Sequence, residues 1–197
     1  MLPLADKTQI VRQVCAALAA GNTLKASTIA RREYPFVPQT GGKRSFSALA
    51  ATSVFLHDGF IDRYSGTELI FPGALRLLSR LLPAEFPAHP NWKTSESHII
   101  YYELFPTVDH IHPIARGGAN TPDNWATTSM ILNSAKANWT LEELHWTLFP
   151  PGNPAAWDGL LHWFLEFIAR SPEHLADNYI KTWHSAATRA TKSDPIE

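Results

Sequence analysis

The sequence predicts an α+β protein, predominantly helical, in which one short β-hairpin is followed directly by a helix. Most of the chain places apolar residues at the three- and four-residue spacing of helices that bury one face. Two short runs, 107–111 and 125–128, are instead rich in β-branched residues and flank a Gly-Gly pair. With 197 residues, 45% of them hydrophobic, the chain is long enough to bury a core in one compact unit.

Residues 1–95 are predicted to form an N-terminal helical region that contains a short hairpin. Helices are predicted at 6–20, 24–33, 45–56 and 73–82. Ser45 is the expected N-cap of the third helix, because its hydroxyl can accept a hydrogen bond from the first turn. Two extended runs on either side of Ser65-Gly66 predict the hairpin, at 60–64 and 68–71.

Residues 96–150 contain the second hairpin and its helix. The segment 97–104 is compatible with a helix or a strand. The strands 107–111 and 125–128 are joined by a loop whose glycines permit positive φ. Ser129 is then expected to cap a helix that presents Asn133 and Lys136 on one face. Such a unit can bring a carboxylate, an imidazole and an amide together at the open end of the hairpin.

Further helices are predicted at 141–148, 154–169 and 172–190, and the last two form a C-terminal helical cap over residues 151–197. An apolar stripe on the helix 154–169, which includes Phe164 and Ile168, predicts a face that packs in the core. We expect the three parts to form one compact unit.

Composition and charge exclude several classes of protein. The net charge is −1 and the pI about 6.8, so the chain lacks the overall basic charge of many DNA-binding domains. Any nucleic-acid contact must then depend on local basic patches. Cys15 is the only cysteine, which excludes an internal disulfide and a cysteine-based zinc cage. Because the sequence shows neither a signal-peptide pattern nor an apolar run of the about 20 residues that a membrane span needs, we expect a cytoplasmic protein.

The residues that carry chemistry lie in one continuous stretch. They are Asp109-His110, Pro113, Gly117-Gly118, Asn124-Trp125, Asn133 and Lys136. These residue types at this spacing resemble the HNH endonuclease family, and in particular its HNN variant, in which an asparagine replaces the last histidine. The flanking segments resemble small stand-alone bacterial or phage members. The resemblance implies that the hairpin and its helix form a ββα-metal (HNH) core.

The resemblance also implies a division of roles. His110 would be the general base that deprotonates the attacking water, and Asn124 would brace the loop that orients this histidine. Asp109 and Asn133 would bind one divalent ion, Mg²⁺ or Mn²⁺, since both ions prefer oxygen ligands. The implied reaction is hydrolysis of phosphodiester bonds in DNA, which leaves a 5′-phosphate and a 3′-hydroxyl. Activity on RNA is an alternative.

Three residues near this set are expected to contact nucleic acid, with double-stranded DNA as the expected partner. Arg116 lies in the loop and is the best candidate for a phosphate contact. Lys136 would meet a backbone phosphate or the loop, and a solvated helix face is its alternative. His112 is expected near the cleft. A metal site shared by His110 and His112 is a competing interpretation, because alternate residues of a strand face the same side.

The sequence departs from the family at the positions of a second metal. Many members carry paired cysteines that hold a structural zinc. Here Ser129 and Leu132 occupy the positions of one pair, and Tyr64 and Gly66 the likeliest positions of the other, so no structural zinc is expected. A non-catalytic nucleic-acid-binding module on the same scaffold is the rival function from another class. The sequence does not specify the oligomeric state.

Overall fold

The computed structural model describes residues 4–36 and 46–192, with side chains from residue 7 onward. The chain divides into two compact units, Met1–Thr40 and Gly41–Glu197. The predicted parts 1–95, 96–150 and 151–197 stay a prediction.

The first unit is a pair of helices, α1 (Leu4–Ala19) and α2 (Thr23–Glu33). The turn between them contains Gly21, whose φ of +71° favours glycine. The side chain of Asn22 caps α2 by accepting a hydrogen bond from the backbone N–H of Lys25 at 2.9 Å. The two helices predicted at the start of the chain are therefore confirmed.

The second unit contains the hairpin, its helix and the remaining helices. In chain order its elements are α3 (Ala48–His57), α4 (Pro72–Leu81), α5 (Ile100–Glu103), β1 (Pro106–His110), β2 (Trp125–Ser129), α6 (Met130–Lys136), α7 (Leu141–Leu144), α8 (Leu161–Arg170) and α9 (Asn178–Ala190). β1 and β2 are antiparallel, with Asp109 opposite Ala126 and His110 opposite Trp125. Ser129 caps α6 as expected, since its hydroxyl accepts a hydrogen bond from Leu132 N–H. The predicted α+β class with a hairpin followed by a helix is confirmed.

The first predicted hairpin, at 60–71, is confirmed in part. The chain reverses at Gly66, and the backbone N–H groups of Leu69 and Asp62 donate to the carbonyls of Phe60 and Thr67, both at 2.8 Å. The two segments share one isolated bridge, between Ile61 and Glu68, and no continuous ladder. The pairing stays short because Arg63 binds another strand: its N–H donates to the carbonyl of Thr127 on β2 at 2.8 Å. Asp62 and Arg63 are buried where they bind β2.

Several helix boundaries differ from the predicted ones for local reasons. The helix predicted at 154–169 begins only at Leu161, because Leu160 has a left-handed φ of +63°. The helix predicted at 141–148 ends at Leu144, where the next residue also has a positive φ, +56°. Backbone in the left-handed region cannot continue a right-handed helix.

Three other predictions concern the cap of α3, the segment that the sequence left open and the last predicted helix. The cap of α3 is Ser47, whose hydroxyl accepts a hydrogen bond from Ala50 N–H, whereas Ser45 lies outside the described residues. The segment 97–104, which the sequence left open, contains the helix α5. The region 172–190 divides into a 3₁₀ turn and α9, which Asp177 caps.

The core of the second unit lies between α3, α4, α8 and α9. The apolar stripe predicted to pack there is confirmed, since Leu161, Phe164 and Ile168 of α8 are all buried. Phe164 packs against Phe71 with a centroid distance of 5.3 Å. Each such buried side chain contributes about 1.5–3 kcal/mol of hydrophobic stabilisation. Of these helices, α3 packs against both strands of the hairpin.

Two buried carboxylates attach the segment before α4 to β2. Asp62 is fully buried, and its side chain accepts hydrogen bonds from Ser129 N–H at 2.8 Å, Tyr64 N–H at 2.9 Å and the Thr128 hydroxyl at 3.2 Å. Asp58 accepts one from the N–H of the neighbouring β2 residue, Thr127, at 2.7 Å. These carboxylate hydrogen bonds join the two segments.

One further feature concerns membranes. None of the helices in residues 4–36 and 46–192 is both long and apolar enough to span a bilayer.

Candidate active site

Asp109 and His110 lie at the end of β1 and are largely buried, with 9% and 6% of their surfaces exposed. Asn133 projects from α6, the helix that follows β2. All three side chains line one cavity of about 350 Å³, together with Phe46 and residues of the loop after β1. The fold therefore brings together three side chains that are 24 residues apart at their extremes in sequence.

The expected contact between Lys136 and a nucleic-acid phosphate is wrong, because the fold buries this side chain. Its side chain is fully buried. The Nζ atom donates a hydrogen bond to the carbonyl of His110 at 2.8 Å and forms an ion pair with Oδ2 of Asp109, also at 2.8 Å. Lys136 thus links α6 to β1, because a buried ammonium group requires such partners. The alternative of a solvated helix face is also excluded.

Tyr64 is a site residue that sequence reasoning missed. Its hydroxyl donates a hydrogen bond to Oδ2 of Asp109 at 2.8 Å. Burial, followed by the negative charge of Asp109, raises the pKa of Tyr64 far above its usual value, so the hydroxyl stays a neutral donor. No local pattern identifies this tyrosine, since 45 residues separate it from its partner. Its position follows from the anchoring of Asp62 on β2.

The two oxygens of the Asp109 carboxylate differ in their hydrogen bonding. Tyr64 and Lys136 both bind Oδ2. Among the described residues, none donates a hydrogen bond to Oδ1 of Asp109. This oxygen is consequently available to a ligand in the cavity.

Asn124 closes the loop between β1 and β2. Its amide nitrogen donates hydrogen bonds to the carbonyls of His112 and Ala119, at 2.9 and 2.7 Å, and its oxygen accepts one from His112 N–H at 2.8 Å. Gly118 permits this closure, because a Cβ at this position would lie 1.9 Å from the carbonyl oxygen of His112. The loop that follows His110 is therefore held at both ends by one side chain.

Asn120 is a second residue that sequence reasoning missed. Its Oδ1 lies 2.9 Å from Nε2 of His110 and 3.1 Å from Nε1 of Trp125. The indole nitrogen can only donate, which identifies the Asn120 atom as the amide oxygen, an acceptor. Nε2 of a neutral His110 must then carry the proton, and Nδ1 has the free lone pair. The sequence feature that could have identified Asn120 is its position close to the Gly-Gly turn.

His112 and Arg116 lie in the loop beyond β1. His112 is outside the strand, so the alternation that would have placed it beside His110 does not apply. Its Nε2 is instead 3.1 Å from the backbone carbonyl of Arg116. In the part of the chain that the structure describes, no group of three or more His, Cys, Asp or Glu side chains could hold a metal ion. Within those residues, His110 and His112 therefore belong to no cluster of three such ligands.

The charge of Arg116 is already partly compensated. Its guanidinium lies 3.3 Å from a carboxylate oxygen of Glu143 and packs over the ring of Trp139 at 5.8 Å. A phosphate contact by Arg116 would have to compete with Glu143. This contact stays a prediction.

The donor atoms at the cavity fit a hard divalent cation. The hydroxyl of Thr107 donates to the carbonyl of Thr128 at 3.0 Å, so it accepts from the amide nitrogen of Asn133 at 2.9 Å. This contact fixes the Asn133 side chain and assigns its other atom as the carbonyl oxygen. With Oδ1 of Asp109, the site then offers one carboxylate and one amide oxygen. Mg²⁺ is bound in proteins through one or two carboxylates and keeps several waters, so two protein oxygens suffice.

A comparison with protein families agrees with the motif. The family model described as HNH endonuclease matches residues 97–128, from the segment before α5 to the last but one residue of β2. The resemblance read from the sequence is thereby confirmed. No curated protein and no solved structure matches the chain.

Replacing Lys136 with methionine should lower the free energy of unfolding by about 3–5 kcal/mol, because it removes the charged partner of a buried carboxylate and the ammonium donor of a backbone carbonyl. Urea unfolding followed by circular dichroism measures this change. Lys181→Met, at an exposed position of α9, should change the stability by about 0.5 kcal/mol or less. The double variant Asp109→Asn with Lys136→Met should lose less than the sum of the two single variants. Equal stabilities of Lys136→Met and Lys181→Met would contradict a linking role for Lys136.

Proposed function

We propose, on the premise that residues 97–128 belong to the HNH endonuclease family, that this protein hydrolyses phosphodiester bonds in DNA with the help of one divalent ion. One observation carries the proposal. A histidine whose Nδ1 has a free lone pair lines the same cavity as two side chains with available oxygens, Asp109 and Asn133. A general base and a cation site within one cavity are the parts that metal-assisted hydrolysis requires.

In this mechanism His110 accepts the proton of the attacking water. Nδ1 is the accepting atom, because the hydrogen bond to Asn120 keeps the proton on Nε2. When this proton arrives, the imidazolium can still donate from Nε2 to Asn120, so the hydrogen bond persists through the step. Asn124 keeps the loop closed around the histidine, and Phe46 covers one side of its ring with a centroid distance of 5.9 Å.

Asp109 and Asn133 would hold the ion through Oδ1 of each side chain. A bound Mg²⁺ or Mn²⁺ supplies positive charge to the phosphate and to the leaving oxygen. Tyr64 and Lys136 keep the carboxylate of Asp109 in one orientation by binding its other oxygen. The expected products are a 5′-phosphate and a 3′-hydroxyl.

The proposal also names a substrate and a cellular compartment. We take double-stranded DNA as the substrate and the cytoplasm as the compartment. RNA is the second candidate substrate. The complete set of Asp109, His110 and Asn133 in one cavity supports catalysis over a module that only binds nucleic acid, because binding does not require a base beside a cation site.

The purified protein should nick or cut plasmid DNA in the presence of Mg²⁺ or Mn²⁺, and His110→Ala should reduce the rate by about 10²–10⁴-fold, the usual contribution of a general base. Agarose gels measure the rate, and sequencing of the products identifies their ends. His162→Ala, at an exposed histidine of α8, is the matched control and should cleave at the wild-type rate. Cleavage by His110→Ala at the rate of the control would remove His110 as the base.

Variants of Asn120 should show whether this residue positions the base His110 or only stabilises the fold. Asn120→Leu should lower kcat by about 10–100-fold, within the contribution of the base itself, because Nε2 loses its acceptor and the Nδ1-protonated tautomer becomes populated. Asn120→Asp keeps an acceptor oxygen and should retain most of the activity. ¹⁵N NMR of the His110 ring reports the tautomer directly. An unchanged tautomer in Asn120→Leu would refute the role of Asn120.

A further inference from the structure

The exposed face of α2 carries three cations, one near its first turn and two in its last turn. Lys25, Arg31 and Arg32 are all exposed, whereas Ala26, on the opposite side of the helix, is buried. At 3.6 residues per turn, the three cations fall within a sector of about 120°. The acidic residue of α2, Glu33, lies next to the buried side of the helix. The face therefore presents positive charge without a carboxylate within it.

The charge of the protein is unevenly divided between its two units. The segment Met1–Thr40 contains five Lys and Arg residues and two Asp and Glu residues, a formal charge of +3. The segment Gly41–Glu197 contains twelve basic and sixteen acidic residues, a formal charge of −4. The unit that carries the catalytic cavity is thus the acidic one, and its overall charge opposes the approach of a polyanion.

The described cations of the second unit are largely paired. Ion pairs join Arg63 to Asp58, Arg76 and Arg80 to Asp177, Lys93 to Glu96, Arg116 to Glu143, Lys136 to Asp109, and Arg170 to Glu166. By contrast, Lys25, Arg31 and Arg32 have no ion-pair partner among the described residues. A cation without a protein partner can neutralise a phosphate without first breaking an ion pair.

We propose that the exposed face of α2 is the surface through which this protein binds the phosphate backbone of its nucleic-acid substrate. The three cations are the candidate phosphate contacts. Lys25 and Arg32 are seven residues apart, about 10 Å along the helix axis, which spans about three base pairs of duplex DNA. Such contacts are independent of base sequence and supply affinity rather than catalysis. The proposal rests on the nuclease function, since it identifies where the substrate of that reaction is held.

The test compares two triple variants of the full chain that change the net charge equally. One variant neutralises the face: Lys25→Gln, Arg31→Gln and Arg32→Gln. The control variant neutralises three exposed cations of the second unit: Arg170→Gln, Lys181→Gln and Lys192→Gln. Glutamine preserves helix propensity, so both variants should fold, which circular dichroism verifies.

Binding is measured by fluorescence anisotropy with a 30-base-pair DNA duplex at several salt concentrations, without divalent metal so that cleavage does not interfere. The α2 variant should bind about 10–100-fold more weakly than wild type at 0.1 M salt. The slope of log affinity against log salt should fall by up to about 2.7, which is 0.9 for each phosphate that the variant no longer neutralises. The control should keep the wild-type slope. Mn²⁺ affinity, measured by calorimetry, should be equal in all three proteins.

The possible results test the role of α2 separately from the nuclease function. Wild-type affinity and slope in the α2 variant, or an equal weakening of binding in the control, would overturn the role of α2. Absence of duplex binding by the wild-type protein would overturn it as well. If wild type binds DNA through α2 but does not cleave plasmid with Mg²⁺ or Mn²⁺, the binding surface is supported and the nuclease function fails, so the two failures are distinguishable.

Discussion

The ammonium group of Lys136 is the interaction on which the site depends. It is fully buried and contacts both a carboxylate oxygen of Asp109 and the backbone carbonyl of His110. One cation therefore fixes the orientation of a candidate ligand, the position of a candidate base and the packing of α6 against β1. Because α6 also carries Asn133, the same contact sets the separation of the two candidate ligands. A buried charge of this kind tolerates few other arrangements.

A second set of buried charges supports the first from the opposite side of β2. The carboxylates of Asp58 and Asp62 accept hydrogen bonds from backbone N–H groups of that strand, and Asp62 also orders the turn that begins at Tyr64. The hydroxyl of Tyr64 reaches Asp109 from this turn. Hydrogen-bonded carboxylates thus connect this segment to β2.

The sequence was sufficient for features set by local rules and insufficient for features set by long-range contacts. The strands, the Ser129 cap and the motif at 109–136 follow from residue type and spacing. The burial of Lys136 does not, because spacing places it on the face of Asn133 but does not reveal what covers that face. Asn120 depends on the path of the loop. The chain reversal predicted at 60–71 is present, but its strands stay short since Asp62 and Arg63 bind β2, a partner more than 60 residues away.

The central claim is that Asp109 and Asn133 bind one metal ion beside His110. A crystal structure of the protein soaked in Mn²⁺, with anomalous diffraction data, tests this claim most directly. The predicted result is a single anomalous peak at about 2.0–2.3 Å from Oδ1 of each of the two side chains, with Tyr64 and Lys136 still bound to the other carboxylate oxygen. A peak at His112, or no peak in the cavity at saturating Mn²⁺, would contradict it.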